Sequence, residues 1–254
     1  LLPNFWRWYL EASPECAERT RLLAPLLGGN TPQETVQATV RFIEECGISY
    51  VKWDFNRNVA NVYSATLPKD RQGEVLHRYV LGLYEMQSML TDRFPDLLLE
   101  NCAGGGGRFD AGLLYYSPQI WASDNTDAIR RADMQKNYSY GYPQSTFSCH
   151  VSAVPNHQSG RSCTLQDRYN IASGGVLGYE LDLRQLSEDE LQAIQTQIRE
   201  YAENRELLQF GRFTRLADGW KISDGKDSWE THYETDGTSI HTDRYCRKGE
   251  EKEC

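Results

Sequence analysis

The chain has 254 residues, 39% hydrophobic and 25% charged, with 20 Gly and 9 Pro. This balance suits one large α/β domain and excludes collagen-like, coiled-coil and low-complexity classes. With 27 Lys and Arg against 36 Asp and Glu the formal charge is −9; nucleic acid and anionic membrane are poor partners for such a surface, whereas a neutral, hydroxyl-rich ligand is compatible with it.

Leu1 to Leu10 is apolar but is interrupted by Arg7 and is far too short to span a bilayer, so no signal peptide or transmembrane segment is expected. The chain begins without Met and reads as a piece of something longer. Seven cysteines (16, 46, 102, 149, 163, 246 and 254) form no C-x-x-C pair. Their odd count points to reduced thiols in a cytoplasm. At Thr31-Pro32-Gln33-Glu34 the hydroxyl can cap a helix, Pro takes its first turn and Glu34 can reach back. Val36, Val40 and Ile43 continue that helix to Gly47, and the β-rich run Ile48 to Trp53 follows as a strand. From Arg71 to Arg93, Leu76, Val80, Leu83, Met86 and Leu90 mark one helical face, before the apolar run Leu97 to Leu99 enters Glu100-Asn101-Cys102 as a strand.

Further strands are expected at Gln119 to Ser123, Thr146 to Val151 and Val176 to Leu181. Helices are expected near Asp127 to Tyr138, Leu165 to Ala172 and Leu191 to Leu208, with a second capping box at Ser187 to Glu190. Strands separated by helices imply a parallel sheet, because parallel neighbours need crossovers. The five strands are three short of a closed barrel. From Asp218 to Cys254 the apolar residues are sparse, which predicts a tail with no packed core of its own and at most one short hairpin near Trp220 to Thr231. The competing expectation is a pair of strands turning at Asp224-Gly225 and Asp236-Gly237.

Two strand ends carry carboxylates beside aromatics. Lys52-Trp53-Asp54-Phe55-Asn56-Arg57 closes one, and Trp121-Ala122-Ser123-Asp124-Asn125-Thr126-Asp127 closes another. Active groups of parallel α/β folds sit at the C-terminal ends of strands. Asp54 and Asp124, 124 − 54 = 70 positions apart, are therefore candidates for the carboxylate pair that glycosidic hydrolysis needs. A helix cap is the plain alternative for Asp54, and an N-cap for Asp127. Trp53, Tyr116 and Trp121 can stack on a sugar face or simply pack in the core.

Gly104 to Gly107 lets backbone approach a ligand with no Cβ in the way. A nucleotide cradle is disfavoured, since Gly107 to Gly112 is followed by Leu113-Leu114 where a P-loop needs Lys and Ser or Thr. Neither a cofactor nor a metal is expected: His150 and His157 lack a ligand cluster and fit a site rim instead, and Cys102 lacks the partners of a cysteine nucleophile.

The runs YVKWDFNR, ENCAGGGGRFD, LLYYSPQIWASDNTDA, HVSAVPNHQSGR and GVLGYELDL, in this order, resemble the α-galactosidases of glycoside hydrolase family 36 over roughly Ile48 to Leu216. The resemblance implies an α/β (β/α)₈ barrel of which only about the C-terminal five units are present. It assigns 31–217 to that barrel, leaves 1–30 poorly assigned and makes 218–254 an irregular tail or truncated β-domain start. It implies Asp54 as nucleophile and Asp124 as acid/base of a retaining α-galactosidase acting on melibiose- or raffinose-type oligosaccharides. Lys52 would bind sugar hydroxyls, and Cys102 with Gly104, Gly105, Gly106 and Gly107 would line the galactose pocket. Trp53, Asn56, Arg108 and Trp121 complete the substrate-binding candidates. Ala103 stands where the family usually has Ser, and the family's aspartate pair after the first barrel strand has no counterpart. The full-length family is expected to be oligomeric. The alternatives are a catalytically dead sugar-binding or non-functional fragment, or a related α-N-acetylgalactosaminidase or galactosyl transferase.

Overall fold

The computed structural model describes residues 32–54, 62–107 and 109–249. The capping residue Thr31, the segment 1–30, Asn56 and Arg108 lie outside them. Helix α1 (Pro32–Cys46) ends where Gly47 takes a positive φ of 63°, a backbone conformation that glycine adopts without a Cβ penalty. Strand β1 (Tyr50–Asp54) follows. Helix α2 (Val75–Arg93) is preceded by a 3-10 turn at Lys69–Glu74 and buries Leu83, Gln87 and Leu90. Leu76, expected on its apolar face, is instead 48% exposed in the first turn. Strand β2 (Leu98–Cys102) comes next.

Strand β3 (Gln119–Trp121), helix α3 (Ala128–Tyr138), strand β4 (Phe147–Ser152), helix α4 (Leu165–Ala172) and strand β5 (Val176–Glu180) continue the alternation. The five strands form one sheet in chain order, β1-β2-β3-β4-β5. Strands β3 with β4 and β4 with β5 are parallel neighbours, Ile120 opposite Phe147 and Cys149 opposite Leu177. Strand-helix repetition with this order is the α/β pattern of a partial (β/α)₈ barrel.

The described chain divides into two compact units, one holding 32–53, 62–100 and 110–117 and the other 54, 101–107, 109 and 118–249. The first is organised around α1, α2 and the first strands. The second has a continuous core in which Phe147, Cys149 and Val151 of β4 pack with Tyr169 and Ile171 of α4.

Helix α5 (Glu188–Glu203) opens on the expected capping box, with Ser187 accepting from the Glu190 backbone and the Glu190 side chain accepting from the Ser187 backbone. The single helix expected over 191–208 is two. Asn204, at φ −108° and ψ 8°, separates α5 from α6 (Arg205–Phe210), and its Nδ2 donates to the Glu200 carbonyl 2.7 Å away. Asn competes in this way for backbone partners that helix continuation would use.

The expectation of an irregular tail with at most one hairpin is overturned. Residues 212–247 form a four-stranded antiparallel sheet, β6 (Arg212–Leu216), β7 (Gly219–Ser223), β8 (Ser228–Thr235) and β9 (Ile240–Arg247), in the order β6-β7-β8-β9. The turns fall at Asp224-Gly225 and Asp236-Gly237, where both glycines have positive φ, as the competing hairpin reading expected. Buried positions alternate, Trp220 with Ile222, Trp229 with Thr231, Ile240 with Thr242, which is the period of a sheet with one covered face.

That face joins the same core as Tyr169, Ile171, Leu207 and Leu208. The tail therefore completes an existing core and has no need of one entirely its own. Polar bonds add register: Asp167 of α4 accepts from the Thr242 backbone at 2.9 Å and its hydroxyl at 2.7 Å, and Arg244 reaches Glu200 at 2.7 Å. Slow amide exchange is expected across Thr231 to Tyr245; exchange as fast as in an unstructured peptide would refute the sheet.

His232 in β8 sits between two carboxylates, Nδ1 3.0 Å from Asp218 Oδ2 and Nε2 2.9 Å from Glu230 Oε1, while Lys221 pairs with Glu230 at 3.0 Å. Hydrogen bonding to Asp218, then to Glu230, raises the imidazole's pKa above its ordinary value against a small opposing effect of burial. A folded-state value above the unfolded one contributes stability that is complete below the unfolded pKa and vanishes as pH rises through the folded one. The melting-temperature advantage of the native chain over His232→Gln should therefore shrink as the pH rises above about 6.5, the ordinary imidazole value. An advantage that grows over that range would contradict the bridge.

Candidate active site

Alternation along β1 puts Tyr50, Lys52 and Asp54 on the exposed face and Trp53 on the buried one. Asp54, the last residue of the strand, is exposed. Within the first unit, the Tyr50 hydroxyl donates to the Glu100 carboxylate and Lys52 Nζ lies 3.6 Å from Glu100 Oε1. Glu100 is only 1% exposed, so a cation and a hydroxyl offset the desolvation of a buried charge. Burial, then the bond to Glu100, pushes the Tyr50 hydroxyl far above the usual phenol range. Lys52 is thus oriented by Glu100 of β2, a residue that no local sequence motif marks as its partner.

The second carboxylate comes from the loop after β3. Trp121 ends the strand buried, and its indole Nε1 donates to Asp124 Oδ1 at 3.0 Å. Asp124 itself is exposed. Short polar turns shape the segment between them and α3: Asn125 N donates to Ser123 Oγ at 3.1 Å, and Asp127 N to Asn125 Oδ1 at 3.1 Å. Asp127 is the N-cap of α3, accepting from Ile129 N at 2.9 Å, as its plain reading held.

Around the Trp121 ring stand two cationic or polar groups. The Arg131 guanidinium carbon is 4.4 Å from the ring centroid and the His150 ring 4.4 Å, and His150 Nδ1 lies 3.5 Å from Glu180 Oε2. Trp53 and Trp121 are both buried, as core packing would have them. His150 is half-buried against Trp121, whereas His157 is exposed.

The glycine loop leans on the same segment. Gly105 has φ +79°, and a Cβ there would lie 2.6 Å from Ser123 Cα and 2.9 Å from Asp124 N. At Gly106 a Cβ would meet the Ala122 carbonyl at 2.7 Å and the Tyr138 hydroxyl. At these two positions glycine is demanded by the closeness of loop and strand end, a reason different from ligand approach. Gly104 and Gly107 are exposed beside them, and Cys102 is buried at the end of β2.

The segment 152–161 bonds to the loop that carries Asp124 and Thr126. Ser152 Oγ donates to the Thr126 carbonyl at 2.9 Å, Asn156 Nδ2 to Thr126 Oγ1 at 3.1 Å, and Arg161 pairs with Asp127 Oδ2 at 2.6 Å while donating to the Gly237 carbonyl at 2.8 Å. These bonds tie the run to the segment between β3 and α3. Arg131 and Arg161 escaped sequence reasoning because nothing local marks them; each meets its partner only through the fold. Among the described residues no three His, Cys, Asp or Glu side chains converge as metal ligands, and no helix is long and apolar enough to cross a membrane.

Comparison with known proteins adds three findings. The melibiase family model matches residues 6–211. The chain is 52% identical over 182 residues to alpha-galactosidase 1 of Pediococcus pentosaceus, covering 72% of this chain and 25% of that protein. It is 41% identical over 239 residues to alpha-galactosidase Mel36A of Lactobacillus acidophilus, covering 92% and 32%. The crystal structure of the family 36 alpha-galactosidase AgaA from Geobacillus stearothermophilus superposes with a TM-score of 0.77 at 42% identity, over 80% of this chain and 29% of that one. Variants of AgaA have been solved with raffinose and with stachyose, the first with an aspartate changed to asparagine and the second with an aspartate changed to alanine, at positions 70 apart. The chain spans about a quarter to a third of the length of these relatives.

Proposed function

The chain belongs to the melibiase family, and from that premise we propose that it carries the catalytic carboxylates of a retaining α-galactosidase acting on raffinose-type oligosaccharides. One observation carries the reading. Exposed carboxylates end β1 and follow β3, the strand ends where such barrels hold their chemistry, and the interval between Asp54 and Asp124 equals that between the aspartates replaced in the AgaA oligosaccharide complexes.

In this proposal Asp54 attacks the anomeric carbon while Asp124 protonates the departing oxygen, and water then releases galactose with Asp124 as base. Lys52, Cys102 and Gly104 to Gly107 form the sugar-binding part of the proposal, with Trp53, Asn56, Arg108 and Trp121 carried from the sequence. A cytoplasmic location belongs to the proposal too and rests on the cysteine pattern alone.

Proton NMR of the first product decides the stereochemistry. With the protein carrying this chain, hydrolysis of an aryl α-galactoside should release α-galactose before mutarotation. Initial β-galactose would refute double displacement, and calorimetric galactose binding without turnover would refute the enzymatic reading.

A further inference from the structure

Arg131 is the charged side chain that the reading of Asp124 leaves unexplained. It is 2% exposed, and none of its three guanidinium nitrogens has a hydrogen-bond partner among the described residues. A buried cation in that condition is costly unless another interaction compensates it. The carboxylates of Glu180 and Asp124 offset part of that cost through space, and the Trp121 ring, 4.4 Å from the guanidinium carbon, adds a cation–π contact, indole being the strongest of the aromatic faces for a cation. On the far side of the same indole's chemistry, its Nε1–H donates to Asp124 Oδ1 at 3.0 Å. His150, tied to Glu180 at 3.5 Å, also packs on the ring and further limits its rotation.

We propose that Arg131 is a positioning residue which, through Trp121, determines which oxygen of Asp124 carries the catalytic proton. The inference rests on the reading of Asp124 as acid/base. An indole N–H can only donate, and the carbonyl oxygen of a carboxylic acid is a better acceptor than its hydroxyl oxygen, so the bond to Oδ1 favours the acid form that carries its hydrogen on Oδ2. In the first step the Oδ2–H bond breaks and its proton passes to the glycosidic oxygen. The bond from C1 to that oxygen breaks with its electron pair going to the oxygen, and an Asp54 oxygen bonds to C1. In the second step a water oxygen bonds to C1, its proton passes to Oδ2, and the Asp54–C1 bond breaks. Oδ1 keeps its donor throughout. The Arg131 charge over the ring withdraws electron density from the indole and makes its N–H the better donor. Both Trp121 and Asp124 are thereby held in one rotamer.

Two readouts test this. In the indole region of a ¹⁵N-tryptophan spectrum of this chain, the Trp121 resonance is assigned by Trp121→Phe. Its N–H exchange should accelerate about tenfold in Asp124→Ala and in Arg131→Met, and recover in Arg131→Lys, which keeps a cation. An indole resonance indifferent to Asp124 or to Arg131 would overturn the proposal without need of turnover.

The second readout uses leaving groups in the protein carrying this chain. Trp121→Phe should lower kcat on raffinose about tenfold or more and on a dinitrophenyl α-galactoside less than about twofold, because a good leaving group needs no proton. Equal losses on the two substrates would overturn the positioning role. Asp124→Asn separates the two levels of inference. If it shows the same substrate split while Trp121→Phe does not, Arg131 and Trp121 are structural only; if it shows no split, Asp124 is not the acid.

Discussion

Replacing Asp54 by alanine is expected to cut turnover of an aryl α-galactoside about a thousandfold or more, in the protein that carries this chain. The carboxylate ends β1 on the strand's exposed face, and in its proposed role as nucleophile its removal would eliminate the covalent step altogether instead of weakening it. A small anion such as azide, filling the space left by the side chain, should restore part of the rate and yield a β-linked galactosyl azide. Because Asp54 is exposed, the substitution should leave the melting temperature nearly unchanged. Undiminished turnover in the variant would remove Asp54 from the mechanism, and lost turnover with a lowered melting temperature would make its role structural.

A large, though smaller, loss is expected from a residue with no functional group. Gly105→Ala faces two costs at once: a left-handed backbone at φ +79°, worth roughly 1–2 kcal/mol for a residue with a Cβ, and a methyl group 2.6 Å from Ser123 Cα. Overpacking of this kind costs about 1–3 kcal/mol and is relieved by moving the neighbour. The neighbour is the backbone that bears Asp124, and a displacement of about 1 Å there should lower turnover about a hundredfold.

Gly47→Ala supplies the control. Gly47 also has positive φ, +63°, but a Cβ there meets nothing within 4 Å. It should lose about 1–2 kcal/mol of stability and keep its turnover. Equal kinetic effects of the two substitutions would show that strain, and not displacement of the loop bearing Asp124, is responsible.

Much of the α/β part was legible in the sequence, because its signals are local. Ser187 and Glu190 sit three residues apart and form the capping box by themselves, and Val36 and Ile43, read at helical spacing, are buried. The tail was misread for the opposite reason. Its buried set includes Thr231 and Thr242, and its apolar residues pack on Tyr169 and Leu208 from elsewhere in the chain. A count of the tail's own apolar residues could not register a core supplied by other segments.

The two strand-end aspartates were legible as types at a spacing. What holds them was not. Arg131 reaches Trp121 and Arg161 reaches Asp127 from positions 10 and 34 residues away, and neither interval carries a motif. Leu76 shows the limit of periodicity itself: it continues the apolar stripe of α2, yet it lies in the first turn, exposed at 48%.

The meander β6-β7-β8-β9 also bears on how the chain reaches its native state. Each strand there is bonded to its successor across a short turn, so the loops to be closed are small and their entropic cost is low. Parallel strands such as β4 and β5 must first close a crossover through α4, which is slower. Refolding followed by pulse-labelled hydrogen exchange should therefore protect the β8–β9 hairpin before the β4–β5 pair. The tail would then present Trp220, Trp229 and Ile240 as a preformed apolar surface on which α4 settles, making the segment later in sequence the earlier one in folding.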